Sequence, residues 1–551
     1  MSSLNSALDI AKTALLSSQK AINVTSHNIA NANTEGYTRQ RASLEAMPPV
    51  MHGNFYFGTG VTVSAIERIY DNFQAAQLRS SQSSFSRYES KEALLKTLEA
   101  SFDDLNEGSG LSAPLDAFFN AFQDLANNPS SYAERSALLS NAAVLTDSFN
   151  NIDSTINQNI TNINKEVRSQ VDEINSLASQ IAELNDQIGT VEVAGISAND
   201  LRDKRDLLLE SLSEIIDIST MENDTGQVDV YVGGGVTLVA GVRATPLEVE
   251  IDAENPSLSN VISGGVELNN RITGGSIKGV LDAREYFQEV GDKINLLAAT
   301  LVKEVNVQHS AGYGLDGSTG VDFFTVPEIY TKPYGTNGGG AVVSSTAVSD
   351  LSLVTLDDYE IRFTDAANYI VVNTDSSSVI ANGGYTSGNA ITFEGLSVTI
   401  TDISGAPAAG DKFTVSFTKN AAQSMGLDIT DPNSIAAASS YDVTPGDLPG
   451  DNTNALALAA VKNAEVIEGT TISDYYTSLV SDIGVVTAEA GSNRDSQDKV
   501  VEQLLLARDS VSGVSIEEEA INLIKLQRAY QAAAKIITTV DEMYITLLNI
   551  R

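Results

Sequence analysis

Apolar residues recur every seven positions at both ends of the chain. Near the N-terminus Leu8, Leu15, Ile22 and Ile29 form one row and Leu4, Ala11, Ser18 and Thr25 its companion, the spacing of a helix that packs along another helix. Near the C-terminus Leu523, Tyr530, Ile537 and Tyr544 form one row, and Ala520, Gln527, Ala534, Asp541 and Leu548 a less pure second. A further row, Leu526, Ala533, Val540 and Leu547, makes this stripe wider than one partner helix covers, as expected of a helix with several neighbours. Ser515 followed by Glu518 predicts a capping box after a break at Ser512-Gly513, and Glu517 and Glu519 add negative charge at the positive end of the helix dipole. Each apolar side chain left in water forgoes roughly 1.5–3 kcal/mol of burial, and an isolated helix nucleates poorly. Both ends therefore require partners and are expected to be loose in a free chain.

Between the ends the period changes repeatedly. The run Asn28-Ile29-Ala30-Asn31-Ala32-Asn33-Thr34-Glu35-Gly36-Tyr37-Thr38-Arg39 supplies Asn and Gly that end a helix, and residues 40–68, with Pro48-Pro49 and alternating Val61 and Val63, read as extended. Tyr70 to Glu107 is helical in pattern, and helices continue to about residue 216. The clearest has Ile160, Val167, Ile174, Ile181 and Ile188 in one row and Ile156, Ile163, Gln170, Leu177 and Leu184 in the other, which predicts a long rod. From Gly226 the period is two, as at Val228, Val230 and Val232, with strands expected to about Ile277. A helix is then expected over Asp282 to Gln308, followed by a loop marked by Gly312, Gly314, Gly317 and Gly320. Residues 340–420 are β-rich, and helical pattern resumes after Ala421, with the Pro445 to Asn454 loop leading into a helix capped by Asn452 or Thr453.

These elements predict a multidomain α+β protein with terminal coiled-coil helices, a long helical bundle stalk and outer β-rich domains inserted in the middle of the chain. The expected division is 1–70 with 507–551 as the terminal coiled-coil domain, 71–216 with 278–330 and 421–506 as the stalk, 217–277 as a β-rich segment, and 331–420 as the outer inserted domain. A chain of 551 residues exceeds what one core supports.

Charge and composition narrow the chemistry. A net charge of −39, from 72 acidic and 33 basic residues, disfavours nucleic acid and anionic membranes as partners. Residues 1–41 escape this trend, with Lys12, Lys20, Arg39 and Arg41 against Asp9 and Glu35. The absence of cysteine excludes disulfides and thiolate metal sites. No signal-peptide pattern opens the chain and no 18-residue apolar run occurs, so composition alone suits a cytosolic protein, unless export proceeds without a cleaved signal. The three histidines, His27, His52 and His309, stand outside any HExxH or Ser/His/Asp pattern, and His309, near Asp316 and Asp322, reads as a surface-loop residue rather than a ligand. The 312–322 loop lacks the D-x-D-x-D-G spacing of a calcium loop and reads as a glycine turn. The pairs Asp103-Asp104 and Asp357-Asp358 are adjacent rather than convergent. No catalytic constellation, cofactor or metal is expected.

The Asn28 to Arg39 run resembles the signature shared by bacterial flagellar rod, hook and hook-associated proteins. The C-terminal runs Ser510 to Ala520, Leu526 to Ala532 and Leu547 to Arg551, with the interior runs Gly275 to Leu281, Asn306 to Gly312, Gly410 to Phe413 and Gly450 to Leu458, narrow the resemblance to the hook-associated protein 1 family along the whole chain. That resemblance implies a structural, non-enzymatic junction between hook and filament, secreted to the extracellular flagellum by the flagellar type III export apparatus. The implied partners are the hook protein, the second hook-associated junction protein, further copies of the chain in a ring, the export apparatus, and an export chaperone covering Leu523, Leu526, Tyr530 and Ile537. The assembly surface is expected to comprise Leu8, Leu15, Ile22 and Ile29 against Leu523, Leu526, Tyr530, Ile537, Tyr544 and Leu548, with Asn33, Gly36, Tyr37 and Arg39 forming a turn and subunit contact. Three other readings stay open at this point: a bulk hook, rod or filament subunit, a surface adhesin, and an enzyme carried on the outer β domain.

Overall fold

In the computed structural model the described residues are 2–52, 55–102, 110–252, 255, 257–441 and 450–549. The Asp103-Asp104 pair, the helix end expected at Glu107, the first half (445–449) of the Pro445 to Asn454 loop, the side chain of His52 and the last two residues lie outside them.

Helix α1 (Ser2–Ala30) ends in the Asn- and Gly-rich turn and leads into a β linker of four strands: β1 (Gln40–Ala46), β2 (Val50–His52), β3 (Phe55–Phe57) and β4 (Val61–Arg68). β1 pairs antiparallel with β4, and β2 with β3. The helical shaft follows, with α2 (Asn72–Ser101), α3 (Ser112–Asn127), α4 (Tyr132–Val193) and α5 (Asn199–Ile215). The heptad rows expected between 156 and 188 lie on α4, a rod of 62 residues and roughly 90 Å, and Ile156, Ile160, Ile163, Val167, Ile174, Ile181 and Ile188 are buried along it. Gln170, the polar break in the pattern, is matched: its amide nitrogen Nε2 donates to Glu166 at 2.9 Å and its side-chain carbonyl accepts from the Ser276 hydroxyl at 3.2 Å.

Two small antiparallel sheets lie on this rod. One contains β5 (Ile218–Glu222), β6 (Val228–Val232), β7 (Val236–Ala240) and β8 (Arg243–Ala244); the other contains β9 (Glu248–Ile251), β10 (Ser259–Ser263) and β11 (Val266–Glu267). Three asparagines about three helical turns apart on α4 fasten them. Asn185 bonds the amide and carbonyl of Val228, Asn175 those of Leu247, and Asn164 the Ser257 carbonyl and Ser259 amide, all within 2.6–3.2 Å. Each side-chain amide thus substitutes for a missing strand neighbour.

The strands end at Glu267, short of Ile277, and helix α6 (Gly275–Ser310) starts seven residues before the expected Asp282. Glycines disguise this start, since they disfavour helices. Contact requires them: Gly275 has φ +81° and sits against the Ile215 carbonyl, while a Cβ on Gly279 would lie 2.1 Å from the Arg87 carbonyl oxygen of α2. His309 is also corrected, because it occupies the last turn of α6 with full burial rather than a surface loop.

The chain then departs into the outer β domain. β12 (Tyr330–Pro333), β13 (Ala341–Val348), β14 (Asp358–Asp365), β15 (Asn368–Asn373), β16 (Val379–Gly384), β17 (Ala390–Phe393), β18 (Leu396–Asp402) and β19 (Lys412–Ser416) form a five-stranded sheet, β12-β19-β14-β15-β16, and a three-stranded sheet, β13-β18-β17. Tyr359, Ile361, Phe363, Val398, Ile400 and Phe413 are buried within it. The return passes through α7 (Ala421–Ser424), α8 (Thr453–Ala460) and α9 (Ile472–Ser512) to α10 (Ile516–Asn549). Asn452 precedes α8, but Asp451 supplies the capping carboxylate, accepting from the Thr453 amide at 2.9 Å. α9 packs on α2, and α10 packs on α1.

Gly279→Ala is expected to destabilise the shaft by about 1–3 kcal/mol, because a methyl group must push a backbone carbonyl aside. Scanning calorimetry should show the shaft transition several degrees lower; an unchanged transition would contradict the close α2–α6 crossing.

Candidate assembly interface

The two chain ends meet around a buried asparagine. Asn28, in the last turns of α1, is 1% exposed. Its Oδ1 accepts from the Gln40 amide at 3.0 Å and the Tyr37 hydroxyl at 2.8 Å, while its Nδ2 donates to the Gln40 carbonyl at 2.8 Å and to Glu519 Oε2 at 3.1 Å. That uses the full hydrogen-bonding capacity of one amide. Glu519, buried in the first turn of α10, also receives Arg39 Nε and Nη2, each at 2.8 Å. The Arg39 amide donates to the Ser512 carbonyl at the end of α9 at 2.9 Å. One polar hub therefore joins α1, the β linker, α9 and α10. Burial, reinforced by Asp200, Asp203 and Glu519, raises Tyr37 well above the usual phenol value, so its hydroxyl stays a donor to Asn28.

A second polar layer fixes the hub to the shaft. Asp203 of α5 accepts from the Thr38 amide at 3.1 Å, the Thr38 hydroxyl at 2.6 Å and Arg68 at 2.6 Å, and Arg68 reaches Asp206 at 2.8 Å. Gln40 donates to Asp200 at 2.8 Å, and Asn199 to the Ile66 carbonyl at 2.9 Å. Burial raises Asp203, opposed by Thr38 and Arg68; burial also works to lower Arg68, but Asp206 and Asp203 outweigh it and raise the guanidinium.

Asn28 meets Glu519 at one end and Asn5 meets the Tyr544 hydroxyl at the other, so α1 and α10 run antiparallel. The inward row of α10 is Glu519, Leu526, Ala533 and Val540, with Leu523, Tyr530, Ile537 and Tyr544 half-buried beside it. This register sets Leu8, Leu15 and Ile22 level with Val540, Ala533 and Leu526. The small residues Ala11, Ser18 and Thr25 come level with Ile537, Tyr530 and Leu523. On α1 the deepest positions are Ala11, Ser17, Ala21, Val24, Thr25 and Asn28, because the β linker covers the helix from another side, with Ser17 donating to the Val61 carbonyl at 3.0 Å. Leu8, Leu15, Ile22 and Ile29 are half-buried along the flank. In the row Ala520, Gln527, Ala534, Asp541 and Leu548 the two alanines are half-buried while Gln527, Asp541 and Leu548 are exposed, Leu548 by 73%, so Leu548 is not part of the contact expected of it.

Of the turn residues, Gly36 takes φ +73°, Tyr37 and Arg39 enter the hub, and Asn33 is exposed and makes none of its bonds. Gln40, Asp203 and Arg68 were not singled out by the sequence pattern, and Asn28 and Glu519 stood there only as a helix-ending residue and a helix-dipole charge. A further signal did exist for the last two: Asn28 interrupts the small-residue row Ala14, Ala21, Asn28, and Glu519 extends the row Leu526, Ala533, Val540 by seven.

Large apolar groups remain uncovered around this unit. Ile521, Ile524, Ile536 and Met543 on α10, and Met51, Phe55, Tyr56 and Phe57 on the linker hairpin, are each about half exposed or more. Among the described residues no group of three His, Asp or Glu could hold a metal, and no helix is long and apolar enough to cross a membrane.

Chain ends locked into one antiparallel pair, with β domains inserted between them in the chain, mark a structural assembly subunit, and the family models place it in the flagellar axial class. Residues 8–38 match the family model of the flagella basal body rod protein, and 508–550 that of the flagellar basal body rod FlgEFG protein C-terminal region. Residues 95–324 match the flagellar hook-associated protein FlgK helical domain, and 334–417 the flagellar hook-associated protein 1 D2-like domain. Along 100% of its length the chain is 33% identical to flagellar hook-associated protein 1 of Salmonella typhimurium and 29% identical to that of Bacillus subtilis, covering 100% and 99% of those proteins. The flagellar hook junction protein FlgK from Burkholderia pseudomallei shares the fold, with a TM-score of 0.66 and 22% identity over 79% of this chain and 100% of that one. The chain belongs to the flagellar hook-associated protein 1 family, which consists of structural components of the flagellum and not enzymes.

Asn28→Ala would leave the Glu519 carboxylate, the Tyr37 hydroxyl and both Gln40 backbone groups short of a partner, at a cost of about 2–3 kcal/mol. Hydrogen exchange at the end of α1 and the start of α10 should accelerate roughly 30- to 150-fold. Unchanged exchange would show that the hub does not hold the ends.

Proposed function

We propose that this chain is the adaptor that joins hook to filament, contacting the hook protein on one side and the second hook-associated junction protein on the other, in a ring of its own copies outside the cell. The observation that carries this reading is the antiparallel α1–α10 pair, fixed inside by a polar hub and still apolar outside. A monomer gains nothing from Ile521, Ile524, Ile536 and Met543 in water, whereas a tube of neighbouring subunits buries them. We take residues 1–70 with 507–551 as the tube-forming part, the helical shaft as the spacer, and 331–420 as the outward domain.

Export fits the same arrangement. The chain passes through the flagellar type III apparatus without cleavage, and an export chaperone covers Leu523, Leu526, Tyr530 and Ile537 beforehand. Those four side chains are half-buried on the α1-facing side in the folded chain. Chaperone binding and pairing with α1 are therefore mutually exclusive, so chaperone release precedes closure of the hub.

Tyr530→Asp places a charge in the helix contact and should abolish incorporation at the junction, leaving cells with hooks but no filaments. Normal filaments with this variant would sink the proposal. Immunogold labelling of isolated flagella against residues 340–420 should give one band between hook and filament; label along either tube would make the chain a bulk subunit instead.

A further inference from the structure

The segment returning from the outer β domain, residues 425–438, crosses the shaft largely in extended form, held by scattered backbone bonds and, at its far end, by the reciprocal Tyr313–Ala438 pair at 2.9 and 3.3 Å and the Asn454 and Ala455 amides on the Ala437 carbonyl at 3.1 Å. Thr325 donates to Gly426 at 2.9 Å, Asp428 to Phe323 at 3.0 Å and Leu315 to Asn433 at 2.8 Å. Two buried basic side chains supplement them. Arg135 of α4, 1% exposed, donates to the carbonyls of Pro432 at 3.2 Å and Ile435 at 2.7 Å, and also to Pro129. His309 closes the end of α6, with Nδ1 2.7 Å from the Val321 carbonyl oxygen and Nε2 2.8 Å from the Ala436 amide nitrogen.

We propose that His309 is an acid-released latch: neutral, it pins the return segment to α6, and protonated it frees that segment and loosens the attachment of the outer β domain. A carbonyl can only accept and an amide N–H can only donate, so both contacts are satisfied by one form alone, the neutral imidazole carrying its proton on Nδ1. A second proton on Nε2 would point at the Ala436 N–H and break that bond.

No neighbouring carboxylate compensates. α4 presents the Arg135 cation, the loop after α6 the ring of Phe323, which itself packs on Phe118 and Phe122 of α3, and α8 the amide of Asn454, which donates to the Ala436 carbonyl at 2.7 Å. On the loops, Asp316 bonds Ser318 and Ser434, Asp431 bonds Asn433, and Asp451 bonds Ser439 and Thr453. Asp322 and Asp428 lie on the two strands of backbone that meet at Phe323, and neither bonds the imidazole among the described contacts. Burial, opposed by the Val321 bond and reinforced by Arg135, pushes His309 down to about 4. An unfolded histidine titrates near 6.5. The folded value is the lower, so the latch is fully stabilising above about 6.5 and is lost as pH falls through about 4, the opening equilibrium rising roughly 300-fold in all.

The test uses the full chain. Imidazole NMR, with the His309 signal assigned by its loss in His309→Gln, should report the Nδ1–H tautomer down to pH 5 and titration near 4. Hydrogen exchange over residues 431–441, corrected for intrinsic rates, should show opening rise about tenfold between pH 6.5 and 5, while α4 and α6 hold. In His309→Gln, which cannot take up the proton, that rise should vanish. A His309 titration near 6.5, or the same pH dependence in the variant, would overturn the latch. If the variant does not fold, assignment falls to the two remaining single-histidine variants, His27→Gln and His52→Gln, and the titration of the native chain decides.

Discussion

Everything that makes this chain an assembly subunit depends on the contact of Asn28 with Glu519, because it is where residues almost five hundred positions apart become one structural unit. A buried carboxylate is costly unless it is paired and its remaining oxygens are bonded. Here Arg39 supplies the counter-charge and Asn28 the remaining bond, and the same asparagine turns the chain into the β linker through Gln40. Buried polar groups of this kind define register more than they add stability. An apolar seam of Leu, Ala and Val could slide by one heptad, whereas Glu519 has partners at one position only.

The shaft applies the same device at a second scale. Its core is apolar along α4, but position is set by side-chain amides: Asn164, Asn175 and Asn185 hold the small sheets, and Asn306 bonds the Phe323 and Phe324 amides where the chain leaves for the outer domain. The Arg68 contacts with Asp203 and Asp206 tie the linker to α5, so the orientation of the terminal pair against the shaft is fixed by buried charge rather than by apolar area. Such joints are specific in geometry, setting one angle between the terminal pair and the shaft.

Much of this was legible because repeated apolar spacing is a local signal. The rod of α4, the terminal helices and the inserted β domain all follow from period seven or period two. The start of α6 was hidden because Gly275 and Gly279 serve contact across the shaft, which lowers local helix propensity where a helix forms. His309 was misplaced because burial depends on the Val321 loop and the Ala436 segment, one of which lies more than a hundred residues away. The hub was half legible: Tyr37 and Arg39 stood out in a motif, but Glu519 reads as one more acid in a helix start until Asn28 is found opposite it. The two terminal helices, expected to pack on one another and on neighbouring subunits and to be loose in a free chain, pair with one another within this single chain.

That pairing can be measured directly, since the chain has no cysteine and two can be introduced for spin labels without interference. Lys12→Cys and Lys535→Cys lie at one level on exposed faces of α1 and α10. Pulsed electron–electron distance measurement on the purified full-length protein should give a single narrow distance of roughly 20 Å, as for adjacent packed helices bearing outward labels. A broad distribution, or one centred beyond about 40 Å, would mean that the ends are not joined within one chain and would contradict the account.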